Sequence, residues 1–136
     1  MKSPDYKNTP AYKKGVDVFN SKYEPYKKKL LDDLYQFSPE LADVVVAHGL
    51  CDIWDVKTPT LSVQEKEIAV LASLITSCTV HAEIKAHTEC LLNVGVSKQK
   101  IIDMLVLLTL YIGVPKVIVA MKIINETFIE YDKNHK

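Results

Sequence analysis

The stretch Leu61-Ser-Val-Gln-Glu-Lys-Glu-Ile-Ala-Val-Leu-Ala-Ser-Leu-Ile-Thr-Ser77 decides the fold. Ser62 followed by Glu65 has the form of a capping box, in which each side chain accepts a hydrogen bond from the other's backbone N–H. From Ile68 to Ile75 the chain is apolar nearly all round, which predicts a helix to about Ser77 buried on several sides. A break at Cys78-Thr79 precedes a second helix, from about Val80 to Val94, closed by Gly95 as a C′ glycine. Ser97 caps a third helix that runs to about Ile112. Gly113-Val-Pro115 interrupts it, and a last helix covers about 115–131. Leu61 to Pro115 therefore reads as a buried helical hairpin with its flanking helix.

Toward the N-terminus two amphipathic helices are expected. The first spans 11–21, with Val16, Val18 and Phe19; the second spans 23–37, with Tyr26, Leu30, Leu31 and Leu34. Ser38-Pro39-Glu40 opens another helix, Ser as N-cap and Pro at the first helical position. It continues from Leu41 through His48 to about Trp54. No segment alternates as a strand would, and none repeats. The expected fold class is all-α, about six to seven helices around the buried hairpin. A chain of 136 residues is one domain by length, 1–136, with its helical core at about 11–131.

Charge and cysteine usage narrow the function. The net charge is zero, where a nucleic-acid binder would be basic. Every basic residue is lysine, so the bidentate fork that arginine offers to carboxylate and phosphate is missing. Lys13, Lys14, Lys22 and Lys27 to Lys29 crowd the first thirty residues and read as a solvated helix face. Cys51, Cys78 and Cys90 are odd in number and widely spaced, as reduced intracellular thiols are. The N-terminus has no apolar stretch of a secretory signal, so a cytoplasmic location is expected. The apolar run Ile101 to Met121 is interrupted at Asp103, Gly113, Pro115 and Lys116, too short to span a bilayer. No membrane and no nucleic-acid partner is expected. The helices at 62–77 and 98–112 carry more apolar surface than a small monomer covers, which points to a homo-oligomer.

One constellation can carry chemistry. Glu83 and His87 are four residues apart and share a helix face, and Cys90, three further on, points the same way. Glu67 reaches the same region if the two hairpin helices are antiparallel. A carboxylate beside an imidazole orients it. The plainer alternative is a surface Glu-His pair with Cys90 in the core. Glu83, His87 and Cys90 also have metal-ligand identities. Three ligands on one helix face seldom converge on one ion, so neither a metal nor a cofactor is expected. Cys78 and His81 form C-x-x-H without the second cysteine of a redox pair, and Cys78 reads as an inert thiol. His48 reads as core or interface, and His135 as part of a frayed tail.

The residues also carry a resemblance. His87-Thr-Glu-Cys-Leu-Leu-Asn-Val-Gly95-Val-Ser97, Lys100-Ile-Ile-Asp-Met-Leu105 and Leu110-Tyr-Ile-Gly-Val-Pro115-Lys-Val-Ile-Val-Ala120 follow one another. Upstream stand Cys51-Asp-Ile-Trp54 and Leu61-Ser-Val-Gln-Glu-Lys-Glu67. Together they resemble the carboxymuconolactone decarboxylase family of the alkylhydroperoxidase D-like superfamily, over about residues 11–130. One branch of that family decarboxylates a lactone acid. The other reduces hydroperoxides through C-x-x-C-x-x-x-H and an upstream Glu. Here the two cysteine positions are Val80 and Glu83, so the resemblance is to the decarboxylase branch.

The resemblance implies a lyase acting on a small carboxylated, lactone-type substrate. His87 would be the general acid, with Glu67 or Glu83 orienting it. Lys57 and Lys66 stand where the family tends to place arginines for the substrate carboxylates, and Trp54 and Tyr111 would wall the pocket. Family habit implies a homotrimer or homohexamer. Two alternatives remain open: a non-catalytic oligomeric binding protein on the same fold, and a thiol-dependent peroxidase (a peroxiredoxin activity) through Cys78 despite the missing motif.

Overall fold

The computed structural model describes residues 4–136. The fold is all-α: seven helices are formed among the described residues, with no strand. They divide into two compact units, one ending at Thr60 and the other spanning Leu61–Lys136.

In the first unit, α1 (Pro10–Lys22) starts where Thr9 accepts a hydrogen bond from the Tyr12 backbone N–H, with proline at its first position. The helix expected over 23–37 is split. Glu24 is held extended (ψ 148°) ahead of Pro25, as the clash of the proline ring with the preceding residue requires. A single 3₁₀ turn at Pro25–Lys27 then leads into α2 (Lys28–Phe37). Ser38 caps α3 (Pro39–Asp43) through the Leu41 N–H, as expected. Beyond Asp43 the turns widen to a π-helical stretch, Val44–Val56, which closes with Lys57 N–H on the Asp52 carbonyl. The core of this unit is Tyr12, Phe19, Leu31, Ala42, Val46 and Ala47. Gly15 lets α1 touch the π-helical stretch: a Cβ there would sit 2.1 Å from the Val46 carbonyl oxygen.

Two expectations for this unit are corrected. Lys22 is not on a solvated face; it is 3% exposed, its Nζ lying 3.6 Å from the centroid of the Trp54 ring. The aromatic face takes the cation while the aliphatic stem is buried. Of the two readings of His48, core or interface, the core one is corrected: the side chain is exposed in this chain beside Asp52, at 3.3 Å.

In the second unit the capping box is formed as read: Glu65 N–H donates to Ser62 Oγ (3.1 Å) and Ser62 N–H to Glu65 Oε2 (2.7 Å). It opens α4 (Val63–Ser77), which ends on Cys78 in the left-handed conformation (φ 59°). Helix α5 (His81–Asn93) ends in a Schellman motif, with Val96 N–H on the Leu91 carbonyl and Gly95 N–H on that of Leu92. Gly95 supplies the positive φ (86°), and the apolar pair that accompanies the motif, Leu91 and Val96, is buried. Ser97 caps α6 (Lys98–Ile112) through the Lys100 N–H. Gly113 (φ 88°, ψ 153°) lies in a region only glycine enters readily, and Pro115 then starts α7 (Val114–Asn134).

The antiparallel hairpin of α4 and α5 is present, tied across its open end by Gln64 Nε2 donating to the Val94 carbonyl (2.8 Å). Its burial is distributed differently from the expectation. Apolar α4 buries one stripe, Glu67, Leu71 and Ile75, and leaves Ile68 exposed. The more polar α5 buries Ala86 through Leu91 without a gap, because it packs against both α4 and α7. On α6, Val106, Leu107, Leu110 and Tyr111 are exposed. No helix among the described residues is long and apolar enough to cross a membrane.

Candidate functional site

The polar cluster lies inside the hairpin. Glu67, one turn into α4, is completely buried, and its Oε2 lies 2.7 Å from His87 Nδ1 on α5. Charged side chains are almost never fully buried without a partner. With the carboxylate ionised, Nδ1–H is the donor, which fixes the ring and makes Nε2 the nitrogen that can exchange a proton. On that side stands Glu83, 3.7 Å from Nε2, with its own side chain 56% exposed. The imidazole thus joins a sealed carboxylate to one at the surface. His87 itself is 9% exposed.

Cys90, one turn beyond His87, is fully buried. Its Sγ, a Glu67 carboxylate oxygen and a His87 ring nitrogen all lie within 4.8 Å of one another. Glu67 had to come from the other helix to complete that set, and helical spacing on α5 alone does not provide it. Thr88, also buried, satisfies its hydroxyl on the Ile84 carbonyl (2.7 Å). Glu89 is buried too (8% exposed), which no periodicity in α5 announces.

The structure brings together Glu67, Glu83 and His87. Lys66 is half-buried on α4, next to Glu67 in sequence. Tyr111, near the end of α6, is 74% exposed. In the first unit, Lys57 Nζ pairs with Asp52 (3.0 Å) and Trp54 carries Lys22 over its ring. Cys78 is half-buried at the end of α4, and His81 is exposed at the start of α5.

Against this geometry, the sequence profile of the carboxymuconolactone decarboxylase family matches residues 39–126, about two-thirds of the chain. The chain belongs to that family. The match takes in the Glu67, Glu83, His87 and Cys90 cluster and stops short of the first two helices. No curated protein sequence matches the chain closely enough to add an activity or substrate to that assignment.

Proposed function

We propose that this carboxymuconolactone decarboxylase family member is a lyase acting on a small carboxylated, lactone-type substrate, with His87 as the general acid. The observation that supports it is the buried Glu67–His87 hydrogen bond, which directs the other ring nitrogen to the more open side of the cluster. Loss of CO₂ breaks the bond between the carboxylate carbon and the ring. Its electron pair is delocalised into the conjugated lactone, and His87 Nε2–H protonates the carbon that receives it. The imidazole then regains a proton from water. Glu67 holds the ring and its tautomer; Glu83 faces the nitrogen that moves the proton. Lysine in place of arginine keeps a charge for the substrate carboxylate and gives up two-point binding. Lys66, half-buried beside Glu67 in sequence, is the lysine of this unit assigned to it.

The exposed apolar side of α6 supports self-association, and we place the homo-oligomer contact there. Turnover of a γ-lactone carboxylate by wild type and His87→Gln tests the lyase reading. General acid catalysis contributes roughly 10²–10⁴-fold, so a loss of that order in kcat is expected. Equal rates in the two proteins would remove His87 from the chemistry, and a wild type that binds the lactone acid without converting it would make this a binding protein.

A further inference from the structure

We propose that Glu67, His87 and Cys90 form a binding site for a thiophilic divalent cation of the zinc class. Three ligand atoms of three kinds, a carboxylate oxygen, an imidazole nitrogen and a thiol sulfur, converge within 4.8 Å from two helices. Glu67 and Cys90 are fully buried, and His87 gives the cluster its one accessible edge. Three protein ligands of these kinds can hold such an ion, with a fourth position left for a non-protein ligand. One sulfur and one nitrogen donor disfavour magnesium and calcium, which take oxygen, and favour zinc or cobalt.

The charges also match. A carboxylate and a thiolate supply two negative charges to a dication, and the imidazole binds neutral. On binding, Cys90 loses its thiol proton to solvent. His87 gives Nδ1 to the ion and carries its remaining proton on Nε2, toward the Glu83 carboxylate 3.7 Å away. Glu83 then occupies the outer position of a carboxylate–histidine–metal arrangement. The 2.7 Å between Glu67 Oε2 and His87 Nδ1 must open to about 3.3 Å, the ligand spacing set by bonds of about 2.0–2.1 Å at a tetrahedral angle. Metal binding and the Glu67–His87 hydrogen bond are therefore alternative states of the same side chains. The site does not rest on the lyase reading.

Titration of the metal-free full chain with Co²⁺ tests it. A thiolate-to-cobalt charge-transfer band and intense tetrahedral d–d bands are expected at one equivalent, both removed by Zn²⁺. A Cys51→Ser/Cys78→Ser protein, which keeps only the Cys90 thiol, must retain the bands. Adding Cys90→Ser must abolish them while far-ultraviolet dichroism stays helical. Glu83→Gln is expected to weaken Co²⁺ binding by about tenfold. No band in wild type, a band lost in Cys51→Ser/Cys78→Ser, or a band surviving Cys90→Ser overturns the site. Because no substrate is present, failure here leaves the turnover test standing, and an inactive enzyme leaves this one standing.

Discussion

Glu67 and His87 are twenty residues apart in sequence and 2.7 Å apart in space, and the carboxylate has no exposure to solvent. A helical hairpin makes this contact possible: α4 runs into the turn at Cys78 and α5 runs back, so their inner faces meet in pairs. Glu67 occupies the same stripe as Leu71 and Ile75, in a place where an apolar residue would pack at no electrostatic cost. A carboxylate there implies a use, because apolar replacement of buried ion pairs is often neutral or stabilising.

The first prediction concerns that pair. His87→Ala takes the imidazole from a buried carboxylate and should destabilise the protein by about 3 kcal/mol. Glu67→Leu combined with His87→Leu should recover most of the loss. Urea denaturation of the single and double variants measures both. A His87→Ala protein as stable as wild type would mean that the carboxylate is not ionised in the folded state.

Gly15 gives a sharper test of packing. The Cβ of an alanine there would press on the carbonyl of Val46 as well as on its Cγ1, and the backbone, unlike a side chain, cannot turn away. Gly15→Ala should cost roughly 3 kcal/mol, the upper end of ordinary overpacking. That cost stands against the helix-propensity gain of about 1 kcal/mol the same change gives at an open site. A stabilised Gly15→Ala protein would show that α1 does not approach Val46 so closely.

Cys78 ends α4 with φ 59°, the only described residue other than glycine with positive φ. The left-handed conformation costs an L-residue about 1–2 kcal/mol, partly offset on substitution by the greater freedom of an unfolded glycine. Cys78→Gly should therefore raise stability by roughly 0.5–1 kcal/mol. The thermal midpoint measures it. A fall in the midpoint would mean that the thiol contributes more packing than its backbone costs.

Tyr12 predicts a response to alkali. Burial, and after it the charges of Tyr35, Asp32 and Asp43, hold its phenol above the usual value of 10.0. The folded state then keeps the phenol proton at a pH where the unfolded chain has lost it. The corresponding stability is fully present below pH 10.0 and is lost as pH rises from there through the folded value. Tyr12→Phe should lack this component. Denaturation midpoints taken on both sides of pH 10.0 should fall more steeply in wild type than in Tyr12→Phe.

Local chemistry was legible in the sequence because it is short-range. The capping box at Ser62 and Glu65, the caps at Ser38 and Ser97, the Schellman glycine at Gly95 and the break at Gly113 each depend on residues within a turn or two. The 3.6-residue spacing put Glu83, His87 and Cys90 on one side of α5. Pro25 is legible too, but its effect, an extended Glu24 and a 3₁₀ turn in place of the first turns of the helix expected over 23–37, is masked by the amphipathic pattern around it.

Tertiary structure decided what touches what. Apolar composition marked α4 as a helix buried on several sides. Yet burial depends on how extensively a helix is packed, and α5 packs closely along both α4 and α7, while α4 meets α6 and α7 only lightly. So polar Thr88 and Glu89 are inside while Ile68 and Leu110 are exposed. Lys22 left the solvated lysine face for the Trp54 ring, a contact between helices that no periodicity encodes. The sequence by itself determined the all-α class, the helices of the second unit with their caps, and the family. Only the packing of α4 on α5 selected Glu67 as the carboxylate that holds His87 and set Cys90 beside them both, because a helix repeat orders one face and the fold chooses what meets it.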